Sequence, residues 1–148
     1  MQIKIFKISK EQSEQVEIHC YEVTEEVREI VTFVKTRRGQ ITGVQEGKQY
    51  EIPVTDLCYI EAVDEKVFLY TLKEVYETRQ KLYELENLLK EKYFLRVSKS
   101  LLLNLMKVQA IQPALNGRLT AVLKGGEEII ISRKYVPELK RALKGGGL

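Results

Sequence analysis

Apolar and polar positions follow two different periods along this chain, and the switches between them mark its elements. Ile3 to Ile8 and Val16 to Tyr21 read as strands, the second placing Val16, Ile18 and Cys20 on one face. The period then lengthens. Val23, Val27, Ile30, Val31 and Val34 recur at three- and four-residue steps, while Glu25, Glu26, Arg28, Glu29 and Lys35 occupy the opposite face, which predicts an amphipathic helix. Glu25 and Glu26 complement the positive end of its dipole, Arg37 and Arg38 the negative end, and Gly39 supplies a stop. Residues 1–39 are therefore expected to form a small β-β-α unit that packs on the rest of the chain, since so short a segment buries little surface alone.

From Gln40 the pattern turns extended. Ile41 to Val44, Tyr50 to Val54, Leu57 to Val63, Val67 to Leu72 and Val75 to Thr78 read as five strands, with Glu46-Gly47 as a tight turn between the first two. Pro53 cannot donate to a ladder, so its strand is expected at a sheet edge or to end there. Leu82, Leu85, Leu88 and Leu89 then form a helical stripe that should cover one sheet face, with Glu86 four residues before Lys90 as a supporting pair. The last third reads as a meander: Val108 to Leu115, Asn116-Gly117, Arg118 to Leu123, Gly125-Gly126, then Glu128 to Ile131. Pro137 suits the first turn of a final helix carrying Val136, Leu139 and Leu143, and Gly145 to Gly147 is expected to end order. Strands do not alternate with helices, so the expected class is mainly β (α+β overall), largely antiparallel, with about three helices.

Composition adds exclusions. Hydrophobic residues are 44% and charged residues 30% of 148, ordinary globular usage that argues against disorder, and no apolar run approaches a membrane span. The chain opens without a secretory leader pattern, and a cytoplasmic location is expected. Cys20 and Cys58 are too few and too far apart for a disulfide scaffold or zinc site, and are expected to be reduced core thiols. His19 is the one histidine and has no evident acid–base partner, no strand is followed by a glycine-rich phosphate loop, and Asp64-Glu65 and Glu127-Glu128 fall in expected turns. No catalytic activity, cofactor, metal or small-molecule substrate is expected.

Charge is uneven. From Arg96 onward there are 10 Lys and Arg against 3 Asp and Glu, whereas residues 1–95 hold 14 against 18. A basic C-terminal third fits a polyanionic partner. Within it, Arg96, Ser98, Lys99 and Ser100 form a cationic island between the apolar Phe94-Leu95 and Leu101 to Leu103. Ser132-Arg133-Lys134 follows the apolar Ile129 to Ile131 directly. Arg offers a planar fork to guanine or phosphate, Lys a point charge and Ser a hydroxyl, the groups that nucleic-acid contacts use. Two ordinary exposed turns would have the same composition.

The run Tyr93-Phe94-Leu95-Arg96-Val97-Ser98-Lys99-Ser100-Leu101-Leu102-Leu103-Asn104-Leu105, with Ile111 and Ile130-Ile131-Ser132-Arg133-Lys134-Tyr135-Val136, closely resembles the LytTR-type DNA-binding domain. Asp56-Leu57-Cys58-Tyr59-Ile60-Glu61-Ala62 and Tyr70-Thr71 are similar to that family's first strands. The resemblance covers roughly Ile41 to Leu143, about two thirds of the chain.

What it implies is an elongated stack of antiparallel sheets, with a covering helix and a short C-terminal helix, that binds duplex DNA through loops in the major groove. Three segments would face DNA: Asp64 to Val67, Arg96 to Ser100, and Ser132 to Tyr135. By position in the family, Lys66, Lys99 and Arg133 would read base edges, and Ser100 and Lys134 would hold phosphate. Ser98 stands where the family often has His, a departure from its pattern. The chain resembles the compact, receiver-free form of the family, with residues 40–148 as the DNA-binding domain and residues 1–39 as an extension for self-association or for a regulatory protein partner. The expected function is that of a bacterial-type transcription regulator, acting as a homodimer on double-stranded DNA. Two alternatives stay open: a single-strand binder that stacks bases on Tyr59, Phe68, Tyr70 and Tyr76, or a module whose basic face meets an acidic protein.

Overall fold

The computed structural model describes residues 1–144; the expected loss of order over Gly145 to Gly147 lies outside them. The first regular element is α1 (Glu25–Arg37), capped by the Thr24 hydroxyl, which accepts from the Val27 N–H at 3.3 Å. Gly39, at φ 82°, ends it as expected. β1 (Gln40–Gln45) and β2 (Lys48–Pro53) form a hairpin closed by Glu46 and Gly47, both at positive φ, and α1 packs on β1. β3 (Leu57–Val63), β4 (Lys66–Thr71) and β5 (Val75–Thr78) form an antiparallel meander, and α2 (Leu82–Leu88) comes after it.

β6 (Phe94–Ser98) and β7 (Leu101–Asn104) make a further hairpin that completes a seven-stranded sheet of order β2-β1-β5-β4-β3-β7-β6. β2 is at its edge and ends on Pro53, as the missing N–H requires. β8 (Val108–Pro113), β9 (Leu119–Leu123) and β10 (Glu128–Ile131) form a second, three-stranded antiparallel sheet, and α3 (Val136–Lys144) closes the described chain. The architecture is mainly β, with antiparallel sheets of seven and three strands and, among the described residues, three α-helices.

Two apolar layers hold the stack together. Ile41, Ile60, Leu69, Leu102, Leu85 and Leu89 join one face of the large sheet to α2. On the other face Tyr59, Val97, Leu101, Leu103, Ile131 and Leu139 join it to the small sheet and α3. β7 sits between these layers with all four residues buried, which explains its uninterrupted Leu101-Leu102-Leu103 run. Asn104, also buried, donates to the Leu57 carbonyl at 2.8 Å and accepts from the Met106 N–H at 3.0 Å.

Several sequence expectations need correction. The strands expected at Ile3 to Ile8 and Val16 to Tyr21 join no ladder: residues 1–24 contain a turn at Ser9 to Gln12 between two unpaired, non-helical arms. An isolated hairpin gains too little burial to hold, so alternation alone does not make a strand there. The helical stripe is also thinner than expected, with Val27 buried but Val23 exposed and Phe33 turned to solvent. Cys20 is exposed, and only Cys58 is a core thiol. His19 lies 3.2 Å from Glu17 on the surface. Glu86 does not serve Lys90, which lies beyond the end of α2; it pairs with Arg96. Asn116-Gly117 closes a longer connection than a two-residue turn, with the Ala114 N–H donating to the Arg118 carbonyl at 3.0 Å.

Candidate nucleic-acid interface

The three segments expected to face DNA are brought together by strand register. β3 runs into the turn Asp64-Glu65 and pairs with β7 at Glu61↔Leu101, so that turn and the β6–β7 turn Lys99-Ser100 leave the large sheet at the same end. The Ala62 N–H donates to the Ser100 carbonyl at 2.8 Å, tying the two turns. Beyond β10, the Ser132 N–H donates to the Val97 carbonyl at 2.9 Å, which draws the third segment against β6. Val97 is the extra residue of a bulge between Arg96 and Ser98; its side chain is fully buried, and its carbonyl reaches the small sheet's chain.

Each segment is shaped by its own chemistry. Asp64 (φ 49°) and Glu65 (φ 67°) are both left-handed in a two-residue loop between the paired Val63 and Lys66, the conformation that matches the right-handed twist of a hairpin. Lys66 is exposed at the start of β4. In the island, Arg96 turns inward: one guanidinium nitrogen meets Glu86 Oε1 at 2.7 Å, the second donates to the Lys99 carbonyl at 2.5 Å, and Nε donates to the Ser98 carbonyl at 3.1 Å. Ser98 Oγ accepts from the Ser100 N–H at 3.3 Å. Arg96 and Ser98 therefore shape the loop that presents Lys99, which is exposed.

Ser132 leads into a single 3-10 turn, Arg133–Tyr135, which runs directly into α3. Arg133 is exposed, and no ion pair or side-chain hydrogen bond among the described residues engages it. Its aliphatic stem crosses Gly117: a Cβ built there would lie 3.0 Å from Arg133 Cδ. The β8–β9 connection, with exposed Arg118 beside Gly117, thus borders the same face, a neighbour that sequence reading passed over because Asn116-Gly117 signals only a turn. Lys134 is exposed, with its ammonium 5.8 Å from the centre of the Tyr135 ring.

The face is not uniformly positive. Asp64 and Glu65 outnumber Lys66 in the first turn, whereas Lys99, Arg133 and Lys134 in the other two segments have no acidic neighbour in their own turns. Three of the four aromatic side chains weighed as base-stacking platforms are partnered instead. Tyr59 stacks on Tyr70 with ring centres 4.3 Å apart, and Tyr76 packs at 5.3 Å against Tyr50. Tyr59 also donates to Glu127 Oε1 at 2.6 Å, so Glu127, an exposed residue at the end of the β9–β10 turn as expected, also links the two sheets. Burial and that hydrogen bond hold the Tyr59 hydroxyl well above the usual phenol range, and burial together with the Glu61 charge raises Tyr70. No helix among the described residues is long and apolar enough to cross a membrane.

A stack of antiparallel sheets that presents three polar segments at one end, with its α-helices separated along the chain by strands, defines a β-rich architecture. The chain belongs to the LytTr DNA-binding domain family, whose model matches residues 47–144. Among its relatives, the sensory transduction protein LytT of Bacillus cereus is 34% identical over 93 residues, 63% of this chain but 38% of that protein. The chain thus spans little more than a third of that relative's length. An uncharacterized HTH-type transcriptional regulator of Staphylococcus aureus is 25% identical over 145 residues, 97% of this chain and 98% of its own. A solved LytTr DNA-binding domain from Bacillus cereus shares the fold, with a TM-score of 0.68 at 23% identity over 71% of this chain and 96% of that one.

Proposed function

We propose that this protein is a cytoplasmic transcription regulator that binds double-stranded DNA sequence-specifically, with no catalytic step. Its three segments enter the major groove as loops, and no recognition helix takes part. The observation that carries the reading is the convergence of Lys66, Lys99, Arg133 and Lys134, all exposed and free of ion pairs among the described residues, on segments joined by the Ala62–Ser100 and Ser132–Val97 hydrogen bonds. Exposed cations held on rigid backbone keep their donors available for DNA while losing little entropy on docking.

The roles divide by side chain. Arg133 reads a guanine edge with its fork, Lys66 and Lys99 contact base edges, and Ser100, Ser132 and Lys134 hold phosphates. Arg96 and Ser98 position the island from within. Two protomers occupy one operator, since a single domain of this size spans only a short site. Selection from a random duplex pool tests the reading: recovery of a recurring motif supports it. Enrichment of single strands, or of no sequence at all, contradicts it.

A further inference from the structure

We propose that the N-terminal arms of two copies of this chain exchange, each copy's first stretch pairing with its partner's second to make a shared β-sheet. Residues 1–23 carry apolar side chains on both sides of the Ser9–Gln12 turn, at Ile3, Ile5, Phe6 and Ile8 before it and at Val16, Ile18 and Cys20 after it, yet none of their backbone groups joins a ladder within the chain. Ile3 is 92% exposed, Ile5 90%, Phe6 78% and Val16 71%. So many large apolar side chains on one unpaired segment need a cover, and an unpaired strand edge is a template for another chain.

Charge identifies the cover. The first stretch carries Lys4, Lys7 and Lys10 and no acid; the second carries Glu11, Glu14, Glu17 and Glu22 and no Lys or Arg. Pairing like stretches across a two-fold axis would oppose lysines to lysines and glutamates to glutamates, whereas exchange sets each basic stretch against an acidic one. A single two-stranded hairpin is marginal in water, but two exchanged pairs give four strands with more apolar side chains to bury between them. α1, which comes directly after the arm, leaves Phe33 54% exposed beside the half-buried Ile30, so it offers apolar surface alongside the shared sheet. The Staphylococcus aureus relative matches this chain over a span that takes in the arm.

Sedimentation velocity of the full chain without DNA, at micromolar concentration, tests the exchange. The unaltered chain should run at twice the mass of one chain. The Lys4→Glu, Lys7→Glu, Lys10→Glu variant and the Glu11→Lys, Glu14→Lys, Glu17→Lys variant should each run as monomers, and an equal mixture should recover a dimer containing one of each. All of these substitutions lie on exposed positions outside the folded core, and unchanged melting curves will show that the domain is intact. A monomeric unaltered chain, or charge-reversed variants that dimerise alone as well as the unaltered chain does, would overturn the proposal. Neither result bears on DNA binding by the loops.

Discussion

The Ser132 N–H donates to the Val97 carbonyl at 2.9 Å, and through this bond the small sheet's exit meets the bulge of the large sheet's edge strand. The bulge aims a carbonyl outward without exposing the Val97 side chain, so the edge of β6 is covered and Arg133 starts from fixed backbone.

Arg133 and Lys134 are sequence neighbours with separable roles. Replacing Arg133 with Ala should cost about 1–3 kcal/mol on a selected site and little on random duplex, relaxing one base position. Replacing Lys134 should weaken both duplexes alike and lower the salt slope by roughly one. Because Arg133 makes no ion pair among the described residues, its loss should leave the melting temperature without DNA nearly unchanged. Anisotropy titrations and thermal melts check both statements, and equal losses on both DNAs for Arg133→Ala would refute its reading role.

Arg96 should behave in the opposite way. Its guanidinium joins Glu86 of α2 to two carbonyls of its own loop, so Arg96→Ala should lower stability by about 1–2 kcal/mol and disorder the loop that carries Lys99. Arg96→Lys should not rescue it, since a point charge cannot meet three acceptors in a plane. A double-mutant cycle with Glu86→Gln should return a coupling of about 1 kcal/mol or less, the partly exposed carboxylate being screened by water. Unchanged melting of Arg96→Ala would remove the bracing role.

Asp64 is expected to limit non-specific binding. Its carboxylate and that of Glu65 stand beside Lys66 on the exposed turn, where they would repel phosphates at the proposed interface. Asp64→Asn keeps a residue that tolerates φ 49°, so the turn should survive while affinity for random duplex rises several-fold and discrimination falls. Filter binding on selected and random duplexes decides; weaker binding to both would show that the carboxylate contributes a contact.

Tyr59 gives the fold an alkaline limit. Its raised hydroxyl favours the neutral phenol in the folded state, so its stabilisation is complete below the ordinary phenol range near 10 and is lost as pH rises beyond it. Tyr59→Phe should be less stable by about 1–2 kcal/mol at neutral pH, where the bond to Glu127 is missing, and the gap should close above pH 10. Melting curves at several pH values check this; a gap that stays constant would contradict it.

Much of the large sheet is written locally. Alternation locates β1 to β5, Pro53 marks the edge, and the leucine stripe marks α2. β7 is harder to read because burial on both faces erases alternation, leaving Leu101 to Leu103 as a bare apolar run. The arm misleads for the converse reason: its alternation is present but no partner strand lies within the described chain. At the interface, composition identifies the cationic residues but not their direction. Nothing near Arg96 in sequence announces Glu86 on another element, and nothing near Arg133 announces Gly117.

Affinity for a duplex selected from the random pool, measured against a scrambled duplex and a single strand across a salt series, tests the central claim most directly. The selected duplex should bind about 10³-fold or more tighter than the scrambled one, and log affinity for both duplexes should fall linearly with log salt as several phosphate contacts release counterions. Equal affinity for selected and scrambled duplex, or a salt slope near zero, would contradict sequence-specific reading of DNA by these loops.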